Sequence, residues 1–459
     1  MSRQHRNKSR RRKPLKRIDA PIPEAFVDSA RDWLGDESEA FLEALLASPR
    51  IGLRRNPLRP QIDLDHELAP VAWCASGGVL PTDCKWRPGK SVAWAAGAFY
   101  LQEPAAMLPA EILAAQPGEW ILDLCAAPGG KSTHIAGQLA GEGLLVANEP
   151  DARRARTLVD NLEQAGVGNA IVTIESPDRL ANTWGQTFDA VLVDAPCSGE
   201  AMFGKHVAAR QAWSREFVDG CANRQKQILK EAASLVLPGG RIVYATCAFS
   251  PTENEEVIGW FLDNHPDFRL HAVRLPEVDG SLPETCIQGC ARIWPHRAPA
   301  LGQFAALLVD SRTSEPTRVV SGPPGESLSI ADQRTVDSWL GSELASKVRV
   351  ANDNYFLPPA ELPPYLNELR LARIGIAAAD RVGRTLRPHH AAATAAALQG
   401  QRERIDLDDQ DAKQWLQGRE LSVERPSGWY VPTWHDLPLG WGKASSGRLK
   451  NHLPKFRRS

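Results

Sequence analysis

Two cysteines, each at the end of an apolar run, are the residues of this chain best placed for covalent chemistry. Cys197 lies in Asp194-Ala-Pro-Cys-Ser-Gly and Cys247 in Tyr244-Ala-Thr-Cys. The runs before them, Phe188-Asp-Ala-Val-Leu-Val-Asp and Arg241-Ile-Val-Tyr-Ala-Thr, have the length and β-branched content of buried strands. If those strands are sheet neighbours, both thiols project over one end of the sheet. A single cysteine there is most simply a small buried apolar residue. Two on adjacent strands, one preceded by Asp-Ala-Pro, favour chemistry. Paired cysteines also suggest zinc, but no Cys-x-x-Cys or His pair lies near them, so no metal is expected.

Methylation of cytosine at carbon 5 asks for such an arrangement. That carbon is a poor nucleophile until a thiolate adds to carbon 6 and converts the ring to an enamine, a form of covalent catalysis. Asp194 is placed to engage ring nitrogen 3, and the second thiol can act as base or relay when the first is expelled. A cation favours thiolate over thiol, and Lys131 is the candidate.

Lys131 belongs to a second motif, Asp123-Leu-Cys-Ala-Ala-Pro-Gly-Gly-Lys-Ser, between an expected strand and helix. In a doubly wound sheet that position is the ligand crevice. Gly129 and Gly130 let the backbone approach a ligand closely, and the helix start offers free amides. A phosphate loop would need glycine at position 125, which is Cys, so an NTPase is disfavoured. S-adenosylmethionine needs only close packing and a few polar anchors. Glu149, at the next strand end, suits a ribose diol.

Strands and helices alternate through the middle of the chain. Strands are expected at 120–124, 144–148, 170–174, 188–194 and 241–246, and helices at 131–139, 152–164, 221–235 and 253–264. This implies an α/β, doubly wound, mostly parallel sheet, with 268–273 and 304–309 as an antiparallel pair at one edge. Residues 22–47 read as helical, with Phe26, Trp33, Leu34, Phe41, Leu42 and Leu45 as the apolar face. The expected organisation is a basic disordered tail (1–18), a small α+β N-terminal domain (19–105), a catalytic domain (106–312), a linker (313–330) and a C-terminal domain (331–459).

The formal net charge of −1 is unevenly distributed. Residues 1–17 carry nine Lys or Arg and residues 437–459 carry six, with no acid in either segment. Between them 39 basic residues face 55 acidic ones, so the ends are cationic and the body acidic. Cationic ends suit phosphate contact, whose affinity comes from counterion release. No apolar run reaches the roughly 20 residues of a membrane span, and no apolar signal core follows the basic start. Eight cysteines without framework spacing fit a reducing cytoplasm.

With these residues assembled, the chain resembles the Nop/Sun family of RNA (cytosine-5) methyltransferases, and most closely its bacterial RsmF-type members that act on 16S ribosomal RNA. The likeness runs through Leu101-Gln-Glu-Pro-Ala-Ala-Met, the 123–132 loop, Asp194-Ala-Pro-Cys-Ser-Gly-Glu and Tyr244-Ala-Thr-Cys. It continues in Leu439-Gly-Trp-Gly-Lys and Gly447-Arg-Leu-Lys-Asn-His. It implies a class I methyltransferase (Rossmann-like) sheet, an N-terminal RNA-recognition domain and a C-terminal PUA-like RNA-binding domain.

The resemblance makes Cys247 the nucleophile and Cys197 the group that assists product release, with Asp194 touching both cofactor and base. It implies an S-adenosylmethionine site formed by Cys125, Ala126, Ala127, Pro128, Gly129, Gly130, Lys131 and Glu149, with Arg154 one helical turn on. The family's usual aspartate facing the adenine is replaced here by Ser176, with Asp178 as a substitute two residues later. Ala201 stands where the family commonly has glycine. The implied partner is 16S ribosomal RNA or the small subunit, and the chain is expected to act as a cytoplasmic monomer. The same chemistry on transfer RNA, or a ribosome assembly role with secondary catalysis, are the alternatives.

Overall fold

The computed structural model describes residues 20–64, 66–276, 278–280, 287–313, 318–398 and 403–458. The basic tail expected over 1–18 lies outside them. At the centre is a nine-stranded sheet. Its strands are β1 (Trp120–Asp123), β2 (Leu144–Asn148), β3 (Ala170–Thr173), β4 (Phe188–Asp194), β5 (Val236–Thr246), β6 (Phe268–His271), β7 (Ala291–Ile293), β8 (Gln303–Asp310) and β9 (Leu371–Ile374). They lie in the order β6-β8-β5-β4-β1-β2-β3-β9, with β7 alongside β8. The five strands β1 to β5 pair in parallel, while β6, β7, β8 and β9 run antiparallel to their neighbours.

Helices α1 (Gly130–Leu139) and α2 (Ala152–Ala165) cover one face of this sheet. On the other lie α3 (Pro177–Trp184), α4 (Arg215–Leu235) and α5 (Glu255–Asn264). Alternation along a strand sends successive side chains to opposite faces. Ile121 and Leu192 therefore join the α1–α2 core, and Leu122, Val191 and Val193 the α3–α5 core. Being covered on both sides, β1 and β2 are apolar almost throughout. Asp151 starts α2 by accepting from the Arg153 and Arg154 amides, and Gly166 ends it at φ +83°. Ser214 caps α4, which begins six residues earlier than the sequence predicts.

The N-terminal region divides. Its four short strands form an antiparallel sheet of their own. The helices Glu24–Leu34 and Ser38–Leu46 instead pack on the loops that follow β4 and β5. Phe26 meets Phe203 with ring centroids 5.0 Å apart, and Phe41 meets Phe249 at 4.9 Å. Phe26, Phe41 and Leu45 of the expected apolar face are fully buried, and Trp33, Leu34 and Leu42 are half-buried against them.

Beyond the central sheet the chain forms a five-stranded and a six-stranded sheet. The strand β9 comes from within the segment expected as a separate C-terminal domain, yet it closes the free edge of β3. Described residues of the expected linker are anchored too. Arg318 pairs with Asp189 and lies over the Trp120 ring, and Ser321 bridges Leu362. No helix among the described residues is long and apolar enough to cross a membrane.

Replacing a fully buried aromatic leaves a cavity costing about 3–5 kcal/mol. Phe41→Ala is expected to lower the urea midpoint of unfolding accordingly. A midpoint equal to that of the unaltered protein would mean that the N-terminal helices are not seated on the β5 loop.

Candidate active site

The expected site residues sit at strand carboxyl ends or helix amino ends on one side of the sheet. The loop between β1 and α1 is fixed by its own backbone. Leu124 N–H donates to the Leu192 carbonyl at 2.9 Å, and Ala126 N–H to Asn148 at 2.8 Å. The Ala127–Pro128 peptide is cis. Gly129 has φ +113°, and a Cβ there would lie 3.1 Å from Leu158 Cδ1, so both conformation and space call for glycine. Ala126 and Ala127 are buried, whereas Cys125 is half-buried and its thiol is pushed up by burial and by Asp123.

Glu149, 3% exposed, directly follows β2. Its carboxylate accepts from the Asp151 amide at 3.0 Å and pairs with Arg154 Nη1 at 3.2 Å. Arg154 Nη2 donates in turn to the Ala127 carbonyl at 2.9 Å, so Glu149, Arg154 and the loop form one unit. Ser176 and Asp178 stand exposed at the start of α3, after β3.

The two thiols meet. Cys197 Sγ lies 3.2 Å from Cys247 Sγ, and neither is in a disulfide. The hydrogen bond to Cys247, then burial, raise the Cys197 thiol well above its usual range, and either sulfur can donate in the contact between them. Lys131 Nζ is 2.7 Å from Asp194 Oδ2. Burial opposes the Lys131 charge, but Asp194, Asp123 and Cys247 outweigh it and raise the ammonium's pKa. Lys131 is thus a standing cation within electrostatic reach of the Cys247 sulfur.

Several contributors were not evident in the sequence. Asn148, fully buried, donates to the Leu124 and Glu175 carbonyls and accepts from Thr173 Oγ1 and the Glu175 amide, which locks the ends of β1, β2 and β3 together. Arg54 reaches from the N-terminal sheet to the Gly130 carbonyl at 2.8 Å and to Thr133 Oγ1 at 2.9 Å, holding the first turn of α1. Burial lowers its pKa to about 10, which leaves it charged at neutral pH. Their only signal was a polar type in an apolar setting, and their partners are remote in sequence. Among the described residues, Cys74, Glu111 and His134 bring a thiol, a carboxylate and a ring nitrogen within 4.8 Å of one another. His134 Nε2 and Glu111 Oε1 are 3.1 Å apart, and none of the three belongs to the expected site.

A doubly wound sheet with a glycine-containing loop after β1, an acid after β2 and an antiparallel strand beside β5 is the architecture of a class I methyltransferase, and the family comparisons agree. A model for the 16S rRNA methyltransferase RsmB/F matches residues 110–309. Models for the N-terminal domain of 16S rRNA methyltransferase RsmF and for the methyltransferase RsmF PUA domain match residues 22–104 and 402–459. Ribosomal RNA small subunit methyltransferase F of Serratia proteamaculans is 31% identical over 95% of this chain and 96% of its own. Its counterpart from Erwinia tasmaniensis is 30% identical over the same shares. A solved methyltransferase homolog protein from Pyrococcus horikoshii aligns with TM-score 0.55 at 26% identity, over 62% of this chain and 94% of that one. The chain belongs to the RsmF family of ribosomal RNA small subunit methyltransferases.

Asp123, at the base of the loop, is fully buried and accepts from Ser132 Oγ at 2.6 Å, while its Oδ1 has no partner. Burial, reinforced by Asp194, pushes its pKa up to about 7. A carboxyl raised in the folded state keeps a proton that the unfolded chain has already lost, so stability falls as pH rises from the unfolded value near 4 to about 7. Asp123→Asn is expected to remove this component, so that its stability relative to the unaltered protein improves across that window. A difference that stays constant with pH would show Asp123 to be ionised throughout.

Proposed function

We propose that this enzyme methylates carbon 5 of a cytosine in 16S ribosomal RNA through a covalent Cys247–cytosine intermediate. The observation that carries this is the pair of thiols 3.2 Å apart at the ends of adjacent parallel strands, with the Lys131–Asp194 ion pair beside them. The residues present fit S-adenosylmethionine. The loop turns at Gly129 with φ +113°, which glycine adopts without strain, and Glu149, directly after β2, offers a nearly buried carboxylate as acceptor for a ribose diol. Cys125 to Lys131, Glu149 and Arg154 would hold it, with Ser176 or Asp178 toward its base and Asp194 at the boundary with the target. When bound, it supplies an electrophilic methyl group.

The chain's own residues do the rest. Cys247 adds as thiolate to ring carbon 6, aided by the Lys131 charge, and the displaced electron pair makes carbon 5 nucleophilic. Ring nitrogen 3 takes a proton from the Lys131–Asp194 pair. After carbon 5 is methylated its proton must leave, the carbon 5–carbon 6 double bond re-forms and Cys247 departs as thiolate. Cys197, in contact with that sulfur, gives its proton to it and receives the one released from carbon 5, ring nitrogen 3 returns its proton to the Lys131–Asp194 pair, and Cys247 sheds one proton to solvent before the next turnover. The target base has to be single-stranded or flipped from its stack, since carbon 6 is attacked from above the ring.

Two further features support an RNA substrate. A cleft of about 580 Å³ is lined by Lys90, Trp94, Lys413, Phe456, Arg457 and Arg458. Cations interleaved with aromatics suit a backbone with stacked bases. The relatives named above are small-subunit ribosomal RNA methyltransferases over nearly their full length. The described cysteines are all free, in keeping with a reducing cytoplasm.

Methyl transfer from labelled S-adenosylmethionine to small subunits, naked 16S ribosomal RNA and bulk transfer RNA tests the substrate. Label mapping to 5-methylcytosine in either of the first two is expected. Label in transfer RNA alone would overturn the substrate assignment. Cys247→Ala should abolish transfer and leave cofactor affinity near normal, and residual turnover would remove Cys247 as sole nucleophile. Cys197→Ala should trap a protein–RNA adduct on a denaturing gel, and a clean gel would remove Cys197 from the release step.

A further inference from the structure

The loops that carry the two thiols are tied by carboxylates in both directions. Glu200, three residues after Cys197, is fully buried and reaches across to the Cys247 loop. There its Oε2 accepts from the Phe249 amide at 2.6 Å and the Ser250 amide at 3.0 Å, while Oε1 accepts from Trp213 Nε1 at 2.9 Å. Glu253, six residues after Cys247, is equally buried and reaches back. Its Oε1 accepts from the Ser198 amide at 2.9 Å and from Gln225 Nε2 at 2.8 Å. Gln225 also donates to the Pro196 carbonyl, and the Ala201 amide donates to the Cys247 carbonyl at 3.0 Å. Each thiol is therefore flanked by a backbone amide, Ser198 or Phe249–Ser250, that a carboxylate rooted in the other loop holds.

We propose that Glu200 and Glu253 are positioning residues that set the distance between the Cys197 and Cys247 sulfurs, and so couple expulsion of Cys247 to proton delivery by Cys197. This rests on the covalent mechanism above. Burying two carboxylates in one region is costly unless they are well bonded. Here the acceptors go to loop amides that have no strand partner and would otherwise lie unpaired. The β4–β5 ladder ends at Asp194 and Ala245, so both thiols lie on loops beyond it, and the crossed carboxylates tie those loops to each other.

The two carboxylates differ in what they tolerate. Glu253 Oε2 has no partner, and burial pushes the group's pKa up to about 7. A glutamine can keep both donors on its oxygen and place its amide where Oε2 was. Glu200 has donors on both oxygens, so a glutamine there must set its amide against an N–H.

The test compares Glu253→Ala, Glu253→Gln and Glu200→Gln with Cys197→Ala in the full-length protein. Bridging by dibromobimane, which fluoresces on linking two nearby thiols, is measured without RNA and is therefore independent of the mechanism, with Cys197→Ala as the zero. Glu253→Ala and Glu200→Gln should bridge at least about fivefold more slowly, and Glu253→Gln should recover most of the rate. With RNA and S-adenosylmethionine, Glu253→Ala should accumulate adduct as Cys197→Ala does, while cofactor affinity and the melting temperature of Glu253→Gln stay close to normal. Unchanged bridging in Glu253→Ala, or adduct in Cys197→Ala but none in Glu253→Ala, would overturn the positioning role. Absence of adduct in both would instead overturn the covalent reading, and the bridging rates would still judge the geometry.

Discussion

Parallel pairing of β4 with β5 is the constraint on which the rest of the structure depends. Val193 lies opposite Tyr244, and Asp194 opposite Ala245. That register places both following loops at one level over the sheet. A slip of one residue would send every side chain of a strand to the opposite face. Both faces are buried here, with Ala190 and Leu192 in one core and Val191 and Val193 in the other, so the register is held by apolar burial on two sides. The two thiol loops inherit their level from packing in which neither thiol takes part.

Around this pair the remaining parts of the chain act as supports. The N-terminal helices press Phe26 and Phe41 onto the thiol loops. Arg54 of the N-terminal sheet grips the first turn of α1. Arg59, with Thr394 and Gln164 carbonyls as acceptors, joins the N-terminal region, α2 and the C-terminal part at one buried point. Preorganisation of this kind fixes reacting groups before substrate arrives, which is where much of an enzyme's rate enhancement originates.

The central sheet was legible because its strands are continuous apolar runs, and β2 and β4 fall where the sequence predicts. The thiol pair was legible because Cys197 and Cys247 each follow such a run directly. What stayed hidden was everything whose partner is distant. Glu200 and Glu253 read as ordinary acids until the loops are folded together, and Asn148 reads as the last residue of a strand. The C-terminal part resisted for a related reason. Its strands are short, Leu371–Ile374 pairs with a strand from another part of the chain, and the PUA match covers only 402–459 of the expected 331–459.

The late arrival of β9 has a consequence for how the protein is made. The β3 strand is complete at Thr173, but its partner follows only about 200 residues later in the chain. During vectorial synthesis the growing polypeptide must carry an open, adhesive sheet edge while those roughly 200 of its 459 residues are made. Closure comes only when residues 371–374 emerge. The seal is therefore also a timer, which leaves the sheet edge unprotected until most of the polypeptide exists.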